Sequence, residues 1–200
     1  MEVMMLRGFR VLPGYLSRGA QEEMVKDIAR VCAVAPPFSP LTGWGKPMSV
    51  AMTSAGKYGW YSDRRGYRYI EKHPSGVDWP PIPESFLAVW RAVSGVLRGP
   101  DCCLINRYGA KARMGLHQDR DEADFSFPVV SISLGDPGLF RIGGLQRSDA
   151  TESVWLESGA VLVIGGAARL AFHGIDRIRF GGSTLLTGGG RINLTLRVVD

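Results

Sequence analysis

Arg191-Ile-Asn-Leu-Thr-Leu-Arg197 alternates strictly between polar and apolar residues near the end of this 200-residue chain. Successive side chains of a β-strand point to opposite faces, so the polar residues of this run share one face of a predicted strand. The run is the most regular of several short apolar or alternating segments after Pro100, which are Cys102–Tyr108, Phe127–Leu134, Leu139–Ile142, Val154–Leu156, Val161–Ile164, Arg169–Phe172 and Arg191–Val198. Clusters of Gly, Asp, Pro and Ser separate them, which is typical of an all-β sandwich or barrel.

Two longer amphipathic segments precede the predicted strands. Gln21–Val34 places apolar residues on one side of a predicted helix, which Pro36 and Pro37 close. Pro83–Leu97 repeats apolar residues at helical spacing, with a proline near its start. Helices first and strands after indicate the α+β class, with N-terminal helices and a jelly-roll (double-stranded β-helix) core.

We expect one domain over residues 1–200, with helical support and a lid at 48–69 in about the first hundred residues and the jelly-roll core over about 101–200. The lid segment is rich in Gly, Ser and aromatic residues, with arginines interleaved. Two interpretations remain open for it. It forms either an ordinary β-hairpin with exposed tyrosines, or a lid that offers stacking faces and phosphate contacts together.

The charge of the chain leaves its partner open. The formal net charge is +5 and the pI about 9.3, and 19 of the 24 basic residues are arginine. Arginine pairs bidentately with phosphate and stacks on bases, which suits a nucleic-acid partner. A genome that favours arginine codons would produce the same bias. No apolar run is long enough to span a bilayer, so no membrane partner is expected.

Cysteine use and the N-terminus predict a compartment. Three cysteines, Cys32, Cys102 and Cys103, are too few for a disulfide framework. The start of the chain, 1–8, lacks a basic region followed by an apolar core, so no secretory signal is expected. We therefore expect a cytoplasmic protein, and a monomer.

The chain has only three histidines, which narrows the search for a catalytic centre. His73 precedes a proline and is expected in a loop. His117 and Asp119 follow a predicted strand and would share its face, and His173 could join them from an adjacent strand. Two histidines and one carboxylate form the facial triad of non-haem Fe(II) oxygenases, which leaves three positions open for dioxygen and a bidentate co-substrate. A histidine beside an aspartate is also often a simple hydrogen-bonded pair, so the fragment alone leaves both interpretations open.

The C-terminal strand favours the oxygenase interpretation over a solvated outer strand. Arg191 and Arg197 stand at the two ends of its polar face, with Asn193 between them. This row suits a narrow molecule with two carboxylates, such as 2-oxoglutarate, because arginine and carboxylate pair bidentately. Asn106 and Tyr108, two apart on another predicted strand, would supply further hydrogen bonds.

These motifs, in this order, resemble the AlkB family of Fe(II)/2-oxoglutarate-dependent nucleic-acid demethylases. They are Asn106-Arg-Tyr108, His117-Gln-Asp119-x-Asp121-Glu122, Ile142-Gly-Gly-Leu-Gln-Arg147, His173-Gly174 and Arg191-x-Asn-x-Thr-x-Arg197. Met52–Trp60 and Asp63–Tyr69 resemble the family's substrate lid. The resemblance extends from about Pro47 to Arg197. One departure is visible after Tyr108, where the family commonly has a Pro-Gly turn and this chain has Gly109-Ala-Lys.

The resemblance implies a role for each residue. Iron would be bound by His117, Asp119 and His173. The co-substrate 2-oxoglutarate would be held by Asn106, Tyr108, Arg191, Asn193 and Arg197. Trp60 would stack on a flipped base with His117 on its other face, while Tyr67, Tyr69, Asp121 and Arg147 would contact the substrate. The lid aromatics could instead be hydrophobic anchors of the lid fold. Asp121 and Glu122 could be solvated turn residues, and Arg147 a surface arginine.

The resemblance also implies a reaction. It is oxidative demethylation of N1-methyladenine and N3-methylcytosine in DNA, preferably single-stranded, with RNA as a further candidate. O2 and 2-oxoglutarate would be consumed, and succinate, CO2 and formaldehyde released. Two alternatives stay open: an AlkB-like dioxygenase acting on another methylated substrate, and a non-catalytic jelly-roll module that binds nucleic acid.

Overall fold

A computed structural model gives the architecture of residues 3–200. The strands of this part of the chain are β1 (Met4–Leu6), β2 (Phe9–Leu12), β3 (Val50–Gly56), β4 (Gly59–Asp63), β5 (Gly66–Ile70), β6 (Cys102–Tyr108), β7 (Met114–His117), β8 (Val129–Gly135), β9 (Gly138–Ile142), β10 (Glu152–Leu156), β11 (Val161–Ile164), β12 (His173–Ile178) and β13 (Arg191–Arg197). The helices are α1 (Arg18–Val34), α2 (Glu84–Val93) and a short 3₁₀ turn at Gly166–Ala168. Neither α1 nor α2 has the length and apolar character needed to cross a membrane.

Two antiparallel sheets form the core. The larger has the order β1-β2-β11-β8-β13-β6-β3 and the smaller β10-β9-β12-β7, while β4 and β5 pair separately. Side chains of both sheets meet in one apolar cluster, as Leu162 and Val129 of the larger sheet do with Phe140 of the smaller. The predicted α+β class with a jelly-roll core is confirmed.

The two helices cover the outer face of the larger sheet. Met24 and Ile28 of α1 and Trp90 of α2 belong to one buried cluster with Ile105 and Leu194 of the sheet. Their burial provides the main stabilisation of this layer, at about 1.5–3 kcal/mol for each large apolar side chain.

Both predicted helices are present, with shifted ends. α1 begins three residues earlier than predicted, because Ser17 caps it and its Oγ accepts a hydrogen bond from the backbone N–H of Ala20. α2 ends at Val93, so the prediction that it reaches Leu97 was wrong. Gly95 takes a φ of 75°, which a continuing helix does not allow.

One predicted strand does not exist. Arg169–Phe172 was expected to be a strand, but it follows the 3₁₀ turn as an irregular segment, and β12 begins only at His173. The side chain of Arg169 explains the difference. It is buried and donates to backbone carbonyls of other loops, so it does not project from a sheet surface.

The segment from 48 to 69 contributes to two sheets. Its first part is β3, which pairs with β6 at the edge of the larger sheet. Its second part is the hairpin of β4 and β5. The hairpin places Trp60 and Tyr67 beside the open end of the jelly roll, where β7 ends and β12 begins.

Candidate active site

Two histidines face each other across the pairing of β7 and β12. His117 is the last residue of β7, His173 is the first of β12, and the two are register partners. Their ring centroids lie 4.6 Å apart. Asp119 lies two residues beyond the end of β7, so the expectation that it shares a strand face with His117 was wrong. Its carboxylate nevertheless turns back towards both imidazoles.

Backbone carbonyls set the tautomer of both histidines. Nδ1 of His117 lies 2.9 Å from the carbonyl oxygen of Gly115, and Nδ1 of His173 lies 3.0 Å from that of Ala171. A carbonyl oxygen only accepts, so each Nδ1 carries the proton and each Nε2 has a free lone pair. The Nε2 atoms face Asp119 at 3.8 Å and 3.6 Å. One ligand atom from each of the three residues lies within 4.8 Å of the others.

The charges of the three side chains suit a divalent metal. Burial, followed by the neighbouring His173, lowers the pKa of His117 to about 4. Burial alone would raise the pKa of Asp119, but Arg197 and the two imidazoles outweigh it and hold that pKa well below its ordinary value. A neutral imidazole and an ionised carboxylate are the protonation states in which these groups bind metal. The donor set therefore fits a facial triad.

A cavity of about 1040 Å³ opens beside these three residues. The polar face of β13 forms one wall, since Arg191, Asn193, Thr195 and Arg197 all line it. The neighbouring strand β6 adds Asn106, which is the register partner of Asn193, and Tyr108, which is that of Arg191. The alternation read from the sequence thus places the five residues expected to hold 2-oxoglutarate around one cavity.

Arg191 is a buried cation at the inner end of this wall. Its Nη2 donates to Ser133 Oγ at 2.7 Å and its Nη1 to the carbonyl of Leu156 at 3.1 Å, while its Nε has no partner. No carboxylate within residues 3–200 pairs with it, and burial lowers its pKa to about 10. A Cβ at Gly138 would lie 2.9 Å from Nε, so this glycine makes room for the guanidinium. Buried charges require a counterion, and the unpartnered Nε–H of Arg191 fits a ligand carboxylate.

Arg197 stands at the other end of the wall, next to the triad. Its Nη2 donates to Oδ1 of Asp119 at 2.7 Å, and its Nη1 donates to the hydroxyl of Tyr69 at 3.1 Å. Tyr69 in turn donates to Glu122 at 2.5 Å. Tyr69 was expected to contact the substrate backbone, but the structure uses its hydroxyl inside this network, because two buried charges need it as a partner.

Two members of this network were missed in the sequence. Arg169 donates from Nη1 to the backbone carbonyl of Asp119 at 2.6 Å and from Nη2 to Glu122 at 3.0 Å. Both Arg169 and Glu122 are buried. Each is 47 residues from the other in the sequence, and neither belongs to a periodic pattern. Only Glu122 could have been found from the sequence, because it belongs to the motif that begins at His117 and contains Asp119.

The lid residues gather at the mouth of the cavity. Trp60 Nε1 donates to Oδ2 of Asp121 at 2.9 Å. The ring of Tyr67 stacks on Trp60, with centroids 5.3 Å apart and planes inclined by 24°. Arg147 also lines the cavity, and its Nη1 donates to the carbonyl of Leu116 at 2.9 Å. His73 lies elsewhere, buried in a loop with its Nε2 2.9 Å from the carbonyl of Pro36.

Comparison with known proteins agrees with this geometry. The model of the 2OG-Fe(II) oxygenase superfamily matches residues 8–197. The alpha-ketoglutarate-dependent dioxygenase AlkB homolog of Caulobacter vibrioides is 54% identical over 95% of this chain and 87% of its own length. The solved structure of OsALKBH1 superimposes with a TM-score of 0.84 at 31% identity, covering 98% of this chain and all of that one. DNA N(6)-methyladenine demethylase ALKBH1C of Arabidopsis thaliana is 44% identical over 49% of this chain and 24% of its own length.

The expected family resemblance is confirmed by these matches, which extend over most of the chain. The superfamily model, the close bacterial relative and the solved structure all agree with an Fe(II)- and 2-oxoglutarate-dependent dioxygenase. This chain belongs to the AlkB family of the 2OG-Fe(II) oxygenase superfamily.

Proposed function

We propose that this enzyme oxidatively demethylates alkylated bases of nucleic acids, of the N1-methyladenine and N3-methylcytosine type. The observation that carries the proposal is that one cavity joins the triad to an aromatic lid. A jelly roll that only bound nucleic acid would have no use for two imidazoles and a carboxylate with ligand atoms within 4.8 Å of one another. The name of the Arabidopsis relative, a DNA demethylase, points to the same substrate class.

His117, Asp119 and His173 would hold Fe(II). A metal bound there would activate O2, so that one oxygen atom goes to 2-oxoglutarate, which becomes succinate and CO2, and the other hydroxylates the methyl group. The protein's own contribution starts with the two backbone carbonyls that keep both Nε2 atoms free for the metal. Arg197 then fixes the rotamer of the carboxylate ligand.

The wall formed by β13 and β6 would orient 2-oxoglutarate. Arg191, with its unpartnered Nε, would bind the distal carboxylate. Asn106, Tyr108 and Asn193 would hydrogen-bond along the molecule, and Arg197 would face the end nearest the metal. Orientation of this kind contributes to the rate because the reacting groups are already in place.

The lid would hold the alkylated base. A methyl group at N1 of adenine or N3 of cytosine blocks the pairing edge and leaves the base cationic, so extruding such a base costs less than flipping a normal one. Trp60 and Tyr67 offer stacking surface for it, and the carboxylate of Asp121 favours its positive charge. The same argument favours single-stranded DNA, with RNA as a second substrate, because a single strand has no partner base to lose.

The proposal includes the setting of the enzyme. We infer that residues 1–200 form one catalytic domain, with the lid at 48–69 and the jelly roll at about 101–200. We also propose that the enzyme acts as a monomer in the cytoplasm. The three cysteines support a reducing compartment, since all of them are unpaired. Light scattering on the purified protein tests the monomer.

The function is tested by single turnover on a methylated strand. The protein is loaded anaerobically with Fe(II) and 2-oxoglutarate and mixed with a single-stranded oligonucleotide that contains one N1-methyladenine. After oxygen is added, mass spectrometry should show loss of the methyl group together with formation of succinate. His173→Ala should form neither product. Succinate without demethylation would contradict the base as the substrate, and neither product in the wild type would contradict the oxygenase assignment of this site.

A further inference from the structure

Trp44 is the most exposed tryptophan of the chain. Its accessible fraction is 91%, whereas Trp79 and Trp90 are buried and the remaining two are half-buried. A tryptophan side chain carries a large apolar surface whose burial is favourable. A solvent-exposed tryptophan that also lines a cavity is therefore a candidate for contact with a ligand.

The turn that carries Trp44 is firmly held. The backbone N–H of Thr42 donates to the carbonyl of Lys46 and that of Gly45 to Thr42, both at 2.8 Å. The turn is also hydrogen-bonded to β4. The backbone N–H of Leu41 donates to the carbonyl of Ser62 at 3.1 Å, and Ser62 Oγ donates to the carbonyl of Leu41 at 2.6 Å. The position of Trp44 is thus fixed relative to the strand that carries Trp60.

The turn forms part of the wall of the active-site cavity. Trp44 and Lys46 line this cavity, as do Trp60 and Tyr67 of the lid. Arg113 lines it as well, and it is tied to the residues after the turn because Ser49 Oγ donates to its carbonyl at 3.1 Å. The cavity therefore has a solvent-exposed tryptophan outside the lid hairpin, and two cations line the cavity with it.

The distribution of ion pairs marks this rim as a surface for a polyanion. Fourteen of the 24 lysines and arginines, all within residues 3–200, pair with carboxylates. Eight of the other ten are exposed, and four of these eight line the cavity: Lys46, Arg113, Arg120 and Arg147. Exposed cations elsewhere are mostly neutralised by neighbouring acids, whereas those around the cavity are left for a ligand. A chain of phosphates is the complementary partner.

We propose that Trp44, Lys46 and Arg113 form a docking patch for the nucleotide next to the target nucleotide in the same strand. The indole stacks on the neighbouring base, and the two cations contact the phosphates on either side of it. The inference rests on the proposed function, and it assigns the enzyme a strand rather than a free nucleotide as its preferred substrate. Stacking is tolerant of base identity, so the patch adds affinity without restricting sequence.

The test compares two substrates of different length. One is N1-methyladenosine monophosphate and the other a short single-stranded oligonucleotide with one internal N1-methyladenine. Base–aromatic stacking contributes about 1–3 kcal/mol per base, which corresponds to roughly 5- to 150-fold. In Trp44→Ala, the ratio of kcat/KM for the oligonucleotide to kcat/KM for the monophosphate should fall by a factor in this range.

Two control variants accompany it. Trp44→Phe should keep most of the ratio. Leu97→Ala, which removes a fully exposed apolar side chain elsewhere, should keep all of it.

Two further measurements separate stacking from a change of fold. An oligonucleotide with abasic sites on both sides of the methylated base should bind wild type and Trp44→Ala equally. Lys46→Ala and Arg113→Ala should each lower the slope of log affinity against log salt by about 0.7, the value for one phosphate of a single strand. An unchanged ratio in Trp44→Ala, or a difference that survives the abasic sites, overturns the patch. Failure of the wild type to demethylate either substrate overturns the proposed function, and the patch with it.

Discussion

Arg197 and Asp119 form a buried ion pair, in which Nη2 of the arginine donates to Oδ1 of the carboxylate at 2.7 Å. The pair joins the last strand of the larger sheet to the loop that follows β7. The same carboxylate faces the imidazoles of His117 and His173. One residue of the proposed co-substrate wall and one of the proposed metal ligands therefore depend on each other for charge and for geometry.

This pairing predicts that the triad residues differ in their effect on stability. Asp119→Ala leaves Arg197 buried with only the more distant Glu122, 3.5 Å from its Nε, as a counterion. We expect the free energy of unfolding to fall by about 3 kcal/mol, the lower end of the cost of breaking a buried pair. His117→Ala should cost about 1 kcal/mol, because removing this imidazole leaves no buried charge without its partner. Urea unfolding in the presence of a chelator measures both.

Activity provides the control for that comparison. Both variants should lose demethylation completely, since each removes one of three proposed ligands. Equal losses of stability in Asp119→Ala and His117→Ala would mean that the ion pair does not support the fold.

Arg191→Lys should weaken 2-oxoglutarate binding although the charge is kept. A point charge replaces the planar fork, and the hydrogen bonds to Ser133 and Leu156 no longer position it. A charged hydrogen bond contributes about 1.5–3 kcal/mol, so the KM for 2-oxoglutarate should rise roughly 10- to 150-fold. Arg177→Lys, at an exposed position, is the matched control. An unchanged KM would move the carboxylate site elsewhere, with Arg197 the next candidate.

Trp60→Ala should affect the nucleic acid and not the co-substrate. Its indole stacks with Tyr67 and hydrogen-bonds to Asp121, so its removal takes away a stacking surface that the lid offers at the cavity mouth. We expect affinity for a methylated single strand to fall by about 1–3 kcal/mol, with the KM for 2-oxoglutarate as in the wild type. The comparison is oligonucleotide affinity with and without the methyl group. A preference for the methylated strand that survives in Trp60→Ala would contradict the stacking role.

The sequence predicted those features that depend on periodicity or on ordered motifs. The alternation of Arg191–Arg197 was read correctly because a strand with one apolar and one polar face has period two. His173 was expected to join His117 from an adjacent strand, and the two are register partners where β7 ends and β12 begins. The lid remained ambiguous, because a hairpin and a substrate lid share the same composition.

Features that depend on distant partners could not be read. Arg169 was assigned to a strand because its neighbours are apolar, yet its side chain serves carbonyls and a carboxylate more than 40 residues away. The role of Tyr69 as a partner of Arg197, 128 residues away, left no local pattern. Trp44 gave no signal either, since exposure depends on what surrounds a side chain in space.

The cysteines should be unreactive in the folded protein. Burial raises the pKa of the Cys102 thiol to about 12 and holds that of Cys103 well above its usual value, so neither forms thiolate at pH 8. Burial also raises the pKa of the half-buried Cys32. We expect a disulfide reagent to label at most Cys32, and slowly, while all three thiols react in denaturant. Rapid labelling of Cys102 or Cys103 under native conditions would show that β6 opens, since both residues belong to this strand.

Asp136 is a fully buried carboxylate that belongs to none of the motifs recognised in the sequence. It accepts hydrogen bonds from the backbone N–H groups of Gly181, Ser183 and Gly190, at 3.0, 2.9 and 2.6 Å. These residues belong to the loop that leads into β13, so one side chain fixes the backbone immediately before Arg191. Asp136→Ala leaves three donors without an acceptor, and a buried unsatisfied group costs about 1–3 kcal/mol.

We therefore expect Asp136→Ala to lower the free energy of unfolding by about 4 kcal/mol, somewhat less than the sum because water can enter the relaxed loop. Asp136→Asn should fall between this variant and the wild type, since its amide oxygen still accepts while its NH₂ faces donors. Asp124→Ala, which removes an exposed carboxylate that accepts from the N–H of Ser126, should cost little. The KM for 2-oxoglutarate should also rise in Asp136→Ala. Gly190 directly precedes Arg191, so a shift of its backbone would displace the guanidinium from its position in the cavity. If Asp136→Ala is destabilised but binds 2-oxoglutarate as tightly as the wild type, the loop before β13 does not position Arg191, and the strand alone holds it in place.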